Sequence, residues 1–131
     1  MEIFIDIVTS VDFRNSSFID IGCGVPILSD FMKQTGCKDS SGLEYNTKLI
    51  NEVKDDYPNL KLYTEDMLKY QEYGKYDILY SYNPLCNSKK MDDALFLIIE
   101  QMKIGAVFYF SPAAVSLDFK EWGFEAPSNI H

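Results

Sequence analysis

The chain alternates short apolar runs with longer stretches whose apolar residues recur every three or four positions. "SFIDIG" (17–22), "SSGLEY" (40–45), "LKLY" (60–63), "YDILYSY" (76–82) and "AVFYF" (106–110) read as five strands. Between them, residues 26–36, 46–58 and 89–103 carry helical spacing, as in the stripe Leu49, Ile50 and Val53. Punctuation sets the bounds. Pro26 falls near the first turn of one helix and Gly36 stops it. Asn46 caps the next, which ends before Pro58, and Gly105 follows the longest. "TEDMLKY" (64–70) turns after the third strand. The start reads two ways: Ile3, Ile5 and Ile7 alternate, while Ile3, Phe4, Ile7, Val8 and Val11 form a helical stripe. The "RNSS" turn behind it favours a helix or arm over residues 1–15.

Strands alternating with helices of this length imply right-handed crossovers and a mostly parallel sheet. The expected fold is therefore a single three-layer α/β/α Rossmann-like domain, with residues 16–110 as its core and 111–131 as a short tail. Such sheets bind ligands beyond the carboxyl ends of their strands. Strand one ends in Asp20, Gly22, Cys23 and Gly24, strand two in Glu44, strand three in Glu65 and Asp66, and strand four in Asn83 and Pro84. Polar groups thus converge on one edge, each behind an apolar run.

Gly22 and Gly24 allow a tight turn and a close approach of backbone to ligand. Glu44 lies twenty residues beyond Gly24, where an acid can bind both hydroxyls of a ribose. A dinucleotide fingerprint would place a third glycine at position 27, which is Ile27 here. Its pyrophosphate would also need N–H groups at the helix start, and Pro26 has none. The loop favours an adenosyl ligand without phosphate.

"FIDIGCGVPILSDF" resembles the first motif of class I S-adenosylmethionine-dependent methyltransferases, an acid followed by glycines at alternate positions. "GLEYN" is similar to their second motif, "TEDMLKY" to the third, "YDILYSYNPL" to the fourth, and "MKIGAVFYF" to their fifth strand. The resemblance spans residues 16–110 and departs at Pro26, where the family has a small residue. It implies S-adenosylmethionine as cofactor, with S-adenosylhomocysteine as product. By the same resemblance Asp20, Gly22, Cys23 and Gly24 line its methionine part and Glu44 takes the ribose. Tyr45 packs beside the adenine, and Asp66 and Met67 address the adenine edge. "NPL" partly matches the N-P-P-[YF] motif of amino-group methyltransferases, in which an asparagine side chain and a proline carbonyl orient the target amine. Asn83 and Pro84 fit that motif; Leu85 and Cys86 do not.

Each residue also has a plainer reading. Asp20 can cap its loop, Glu44 can be a solvated strand end, Asp66 can cap the "MLKY" turn, and Tyr45 can simply pack. Tyr80 and Tyr82 are expected to pack against a helix, and Lys89 and Lys90 to form a solvated helix start.

Composition narrows the classes. Of 131 residues, 47% are hydrophobic and 15% aromatic, which excludes a disordered chain. A net charge of −8 argues against a nucleic-acid binder, whose surface must neutralise phosphates, and favours a cationic ligand. Cys23, Cys37 and Cys86 fit neither a disulfide framework nor a zinc motif. His131, the single histidine and the last residue, is poorly placed for base or metal work, and no metal site is expected. The opening residues lack a basic n-region, and no apolar run approaches the roughly 20 residues of a membrane span. The expected setting is cytoplasmic.

The family's sheet usually has seven strands, so a shortened C-terminal end is expected here, with "AVFYF" at or near an edge. A homodimer or a protein partner completing that edge is the corresponding expectation. Three readings compete: methyl transfer to an unidentified nucleophile, such as an amine, on a protein or small molecule; a catalytically inactive methyltransferase-fold domain acting as a partner-binding or regulatory subunit; and a different adenosyl or nucleotide binder, which Pro26 and Ile27 disfavour. If "NPL" positions the acceptor, Asn83→Ala abolishes turnover while sparing cofactor binding. Parallel turnover and binding assays check this, and unchanged turnover would remove Asn83 from the mechanism.

Overall fold

The computed structural model describes residues 12–82 and 88–110. A 3-10 turn, Phe13–Asn15, leads into β1 (Ser17–Ile21). There follow α1 (Ile27–Gln34), β2 (Asp39–Leu43), α2 (Thr47–Val53) and β3 (Lys61–Tyr63). A second part comprises β4 (Ile78–Ser81), α3 (Ser88–Gln101) and β5 (Val107–Phe110). The strands form one sheet in the order β3-β2-β1-β4-β5, and every pairing is parallel. The chain builds outward from β1 to β3, then crosses over and builds the other way from β4. The reversal lies between β1 and β4, where Asp20 stands level with Gly42 on one side and Tyr80 on the other.

The sheet is buried on both faces, as continuous apolar strands require. On one face Ile19, Ile21, Leu43 and Leu79 meet Ile98 of α3 and the rings of Tyr70, Tyr73 and Tyr76. The buried hydroxyls of Tyr70 and Tyr76 bond each other at 2.6 Å, and Tyr73 donates to the Met67 carbonyl at 2.6 Å. On the other face Phe18 and Ile78 meet Met32 of α1, with Phe13, Cys37 and Tyr109. Two buried serines lock α1 to β2: Ser29 donates to the Ser41 carbonyl at 2.9 Å and Ser40 to the Ser29 carbonyl at 2.6 Å. No helix among the described residues is long and apolar enough to cross a membrane.

The α/β/α layering and parallel sheet match the sequence expectation, while the ends of elements differ. Pro26 is the N-cap of α1 and stands just outside the helix, with φ −82° and ψ 54°. The helix expected over 46–58 is α2 plus a separate 3-10 turn, Lys54–Asp56. The Asn46 cap is present, its side chain accepting from Leu49 N–H at 3.1 Å. "KDD" offers no apolar face to hold further α-turns, and Tyr57, before Pro58, leaves the helical region with φ −128° and ψ 59°. Residues 1–11 and 111–131 lie outside the described residues, and with them the expected N-terminal helix and tail. β5 is the last strand of the described sheet on its side.

Gly42 of β2 is required by packing. A Cβ there would come 2.8 Å from Cys23 Sγ and 3.1 Å from a Leu62 methyl. Gly42→Ala is expected to cost about 1–3 kcal/mol, the usual range for overpacking. Cys23→Ala in the same chain should recover part of it by removing the sulfur. Urea unfolding of the single and double variants checks both statements.

Candidate functional site

The glycine loop leaves β1 at the sheet's reversal point. Gly22 and Gly24 have φ of +73° and +58°, which side chains other than glycine rarely adopt. The loop is tied to the end of β2, because Gly22 N–H and Cys23 N–H both donate to the Leu43 carbonyl, at 2.8 and 3.0 Å. Glu44 completes the link: one carboxylate oxygen accepts from Gly24 N–H at 2.8 Å and the other from Asn46 N–H at 2.8 Å. Across the reversal point, Ser81 at the end of β4 donates to the Ile21 carbonyl at 3.0 Å. Three strand ends are thereby held in one frame.

This frame lines a cleft of about 440 Å³, bounded by Gly22, Cys23, Gly24, Glu44, Tyr45 and Met67, with Glu65 and Lys90 on the far side. A second recess shares Gly22 and Cys23 with it. Asp20 stands at that recess among Val25, Ile27, Phe31, Tyr80 and Tyr82. Asp66 faces a shallower depression with Tyr45, Thr64 and Glu65. Of the residues singled out from sequence, Gly22, Cys23, Gly24, Glu44, Tyr45 and Met67 are thus together, with Asp20 and Asp66 on adjoining walls. Asn83 and Pro84 lie outside the described residues, as does Cys86.

Asp20 is 7% exposed, and its carboxyl makes no hydrogen bond with the described residues. Burial, and then the nearby Glu44 charge, push its carboxyl up to about 8. The Cys23 thiol is pushed far above its ordinary value by burial, with Asp20 and Glu44 adding to it. It therefore stays a neutral thiol, donating to the Gly24 carbonyl at 3.3 Å. Asp66 does cap the turn after β3: Leu68 N–H donates to its Oδ1 at 2.9 Å.

Lys90 departs from the sequence expectation. Its neighbour Lys89 is solvated, in an i,i+4 pair with Asp93 at 3.0 Å. Lys90 lies a hundred degrees further round α3 and turns inward. Its ammonium is 3.3 Å from Asp66 Oδ1 and 5.2 Å from the centre of the exposed Tyr45 ring. Tyr80 packs beside Phe18, with ring centres 6.4 Å apart, as expected of a strand tyrosine. Tyr82 does not pack; it is 59% exposed at the mouth of the Asp20 recess.

No family model matches the chain, and no curated protein matches it in sequence. Solved structures do match. SAM-bound CalS10, an amino pentose methyltransferase from Micromonospora echinaspora, aligns over 85% of this chain and 48% of its own, with 19% identity and a TM-score of 0.69. Magnesium protoporphyrin IX methyltransferase (ChlM) from Synechocystis PCC 6803, with bound SAM, aligns over 78% and 52%, with 20% identity and a TM-score of 0.66. Streptomyces venezuelae DesVI aligns over 82% and 48%, with 23% identity and a TM-score of 0.63. This is the class I methyltransferase fold. The chain spans about half the length of these structures.

The buried Asp20 gives this methyltransferase-fold core a specific pH response. Its carboxyl titrates near 3.8 in the unfolded chain and at about 8 in the folded one. Between those values the folded state binds the extra proton, so stability falls as pH rises. Asp20→Asn should flatten that slope, and its melting temperature should exceed the wild type's by more at pH 8 than at pH 4. Thermal melts of both proteins across this window check the sign.

Proposed function

We propose that the chain binds S-adenosylmethionine in the cleft at the ends of β1, β2 and β3 and transfers its methyl group to a small nucleophile. The observation that carries this reading is the Glu44 carboxylate, held by the N–H groups of Gly24 and Asn46 against the cleft. Each of its oxygens accepts one bond from the backbone and keeps lone-pair capacity for a ribose hydroxyl. CalS10 and ChlM have SAM bound in structures of this fold, which supports the same cofactor here.

The start of α1 favours a ligand without phosphate. Pro26 has no N–H, and Ile27 N–H is already given to the Val25 carbonyl at 2.8 Å. Two of the donors that a helix start would offer a pyrophosphate are therefore missing. Asp20 favours a cation for a complementary reason. A positive group beside it repays the desolvation of its carboxylate, which fits a buried carboxyl that has no donor among the described residues.

The cofactor would supply an electrophilic methyl on a positively charged sulfur. The protein's part is to hold the nucleophile in line with it and exclude water. The recess beside Gly22 and Cys23 suits the acceptor, because it adjoins the cofactor cleft and its walls are Val25, Ile27, Phe31 and Tyr82. Those walls favour an apolar body with one reactive group, such as an amine, over a polyanion.

Calorimetric titration with S-adenosylmethionine and S-adenosylhomocysteine tests the reading. Wild type is expected to bind both at micromolar concentration, and Glu44→Ala roughly tenfold or more weaker, as for loss of charge-assisted hydrogen bonds. Folded wild-type protein that binds neither would overturn the enzyme reading in favour of a non-catalytic subunit.

A further inference from the structure

One wall of the cleft is formed by a turn that the backbone does not complete by itself. After β3 the Asp66 carbonyl accepts from Lys69 N–H at 2.9 Å and from Tyr70 N–H at 3.0 Å. The coil stops there. In a continued helix the Met67 carbonyl would accept from Gln71 N–H, but among the described residues no backbone N–H reaches it. Its donor is the hydroxyl of Tyr73, at 2.6 Å. Tyr73 begins a 3-10 turn, Tyr73–Lys75, and is fully buried. Its ring meets that of Tyr70 edge-on, with centres 5.0 Å apart. Its N–H donates to the side-chain oxygen of Gln101, the last residue of α3, at 3.2 Å.

We propose that Tyr73 is a positioning residue for the cofactor cleft: from the core, its hydroxyl fixes the Met67 peptide and so keeps the Met67 side chain in the cleft wall. The inference rests on the cofactor-binding reading of that cleft. Tyr73 itself is fully buried and is not among the residues that line the cleft, whereas Met67 both lines it and packs on the core cluster that contains Tyr73. A methionine side chain is unbranched and adaptable, so it gives a wall of fixed shape only where its backbone is held. Without the hydroxyl, the Met67 carbonyl would face the core with no donor, and turning it outward to water would move the side chain as well. The anchor is rigid because α3 secures it. Gln101 at the end of that helix holds Tyr73, and Lys90 near its start pairs with Asp66, so one helix grips the turn from both of its ends.

Tyr73 acts through Met67, so the informative experiment is a double-variant cycle. The dissociation constant of S-adenosylhomocysteine is measured for wild type, Tyr73→Phe, Met67→Ala and the variant carrying both, with thermal melts of each. Tyr73→Phe is expected to bind roughly fivefold more weakly, the usual scale for one hydrogen bond. In the Met67→Ala background the same change should have almost no further effect, because no side chain is left to place. Tyr76→Phe is the matched control: it removes another buried tyrosine hydroxyl of the same core, one bonded to Tyr70 rather than to a cleft residue, and should lower the melting temperature without changing affinity. If Tyr73→Phe does not fold, Gln101→Leu, which releases the other end of Tyr73, should weaken binding only when Met67 is present. Unchanged affinity in Tyr73→Phe, additive losses in the double variant, or an equal loss in Tyr76→Phe would each overturn the role of Tyr73 and leave the cofactor reading standing. Folded wild type that binds no S-adenosylhomocysteine would overturn the cofactor reading, and this inference with it.

Discussion

The carbonyl oxygen of Leu43 accepts two hydrogen bonds, from Gly22 and Cys23, and the shape of the whole ligand edge depends on that junction. A loop leaving the end of a parallel strand has no ladder partner of its own. Here β2 supplies one through the carbonyl of its last residue, Leu43, which stands level with Ile21, and Glu44 continues the link to Gly24 through its side chain. The Cys23 side chain packs against β2 at Gly42, where a Cβ would come within 2.8 Å of its sulfur. Gly22, Gly24 and Gly42 therefore serve one purpose from two strands. Two provide the positive φ of the turn, and the third provides the space beneath it.

The same junction concentrates negative charge. It brings Glu44 close enough to Asp20 to help raise the Asp20 carboxyl to about 8, in a chain whose net charge is already −8. Repulsion of this kind costs stability, and it persists where a ligand or a function repays it. The opposite wall carries the compensating charge. Lys90 lines the cleft with Glu44 and Glu65 and pairs with Asp66, and its position is set by α3, whose buried Met91, Ala94, Leu95 and Ile98 anchor it on the sheet. Charge of both signs is thus arranged across one cleft by packing elsewhere.

The fold was legible in the sequence because its strands are buried on both faces and so appear as short continuous apolar runs. Phe18, Ile19 and Ile21 have no exposed side, and nothing in their order competes with a strand. The acids at the strand ends were legible for a related reason: a charged residue directly behind such a run marks where the sheet stops. What sequence could not supply was phase. Whether Lys89 or Lys90 faces the cleft depends on how α3 is rotated on the sheet, which no local pattern encodes. The end of α2 was equally hidden, since a 3-10 turn continues the same spacing for three residues. Glu65 and Asp66 posed a third case, because adjacent acids on a turn point to different sides, and only the turn's closure by Leu68 and Tyr70 decides which.

Two recesses that share Gly22 and Cys23 impose a division of labour on any chemistry performed here. The larger cleft mixes the polar side chains of Glu44, Asn46, Glu65 and Lys90 with the apolar ones of Leu43, Leu49 and Met67, a lining that suits a nucleoside. The smaller is mostly apolar, its polar groups being Asp20, the Cys23 thiol and the hydroxyls of Tyr80 and Tyr82, and Val25, Ile27 and Tyr82 leave their side chains exposed around it. A hydrated, multiply charged acceptor would lose solvation against those walls with few donors to compensate, whereas an apolar body would gain from the burial. Under the proposed function, the shared glycine and cysteine are then the narrow place where cofactor and acceptor meet. Neutrality of the Cys23 thiol is useful at that place, because a thiolate facing an electrophilic methyl would itself be alkylated. Burial, aided by the nearby Asp20 and Glu44, thus keeps that wall inert.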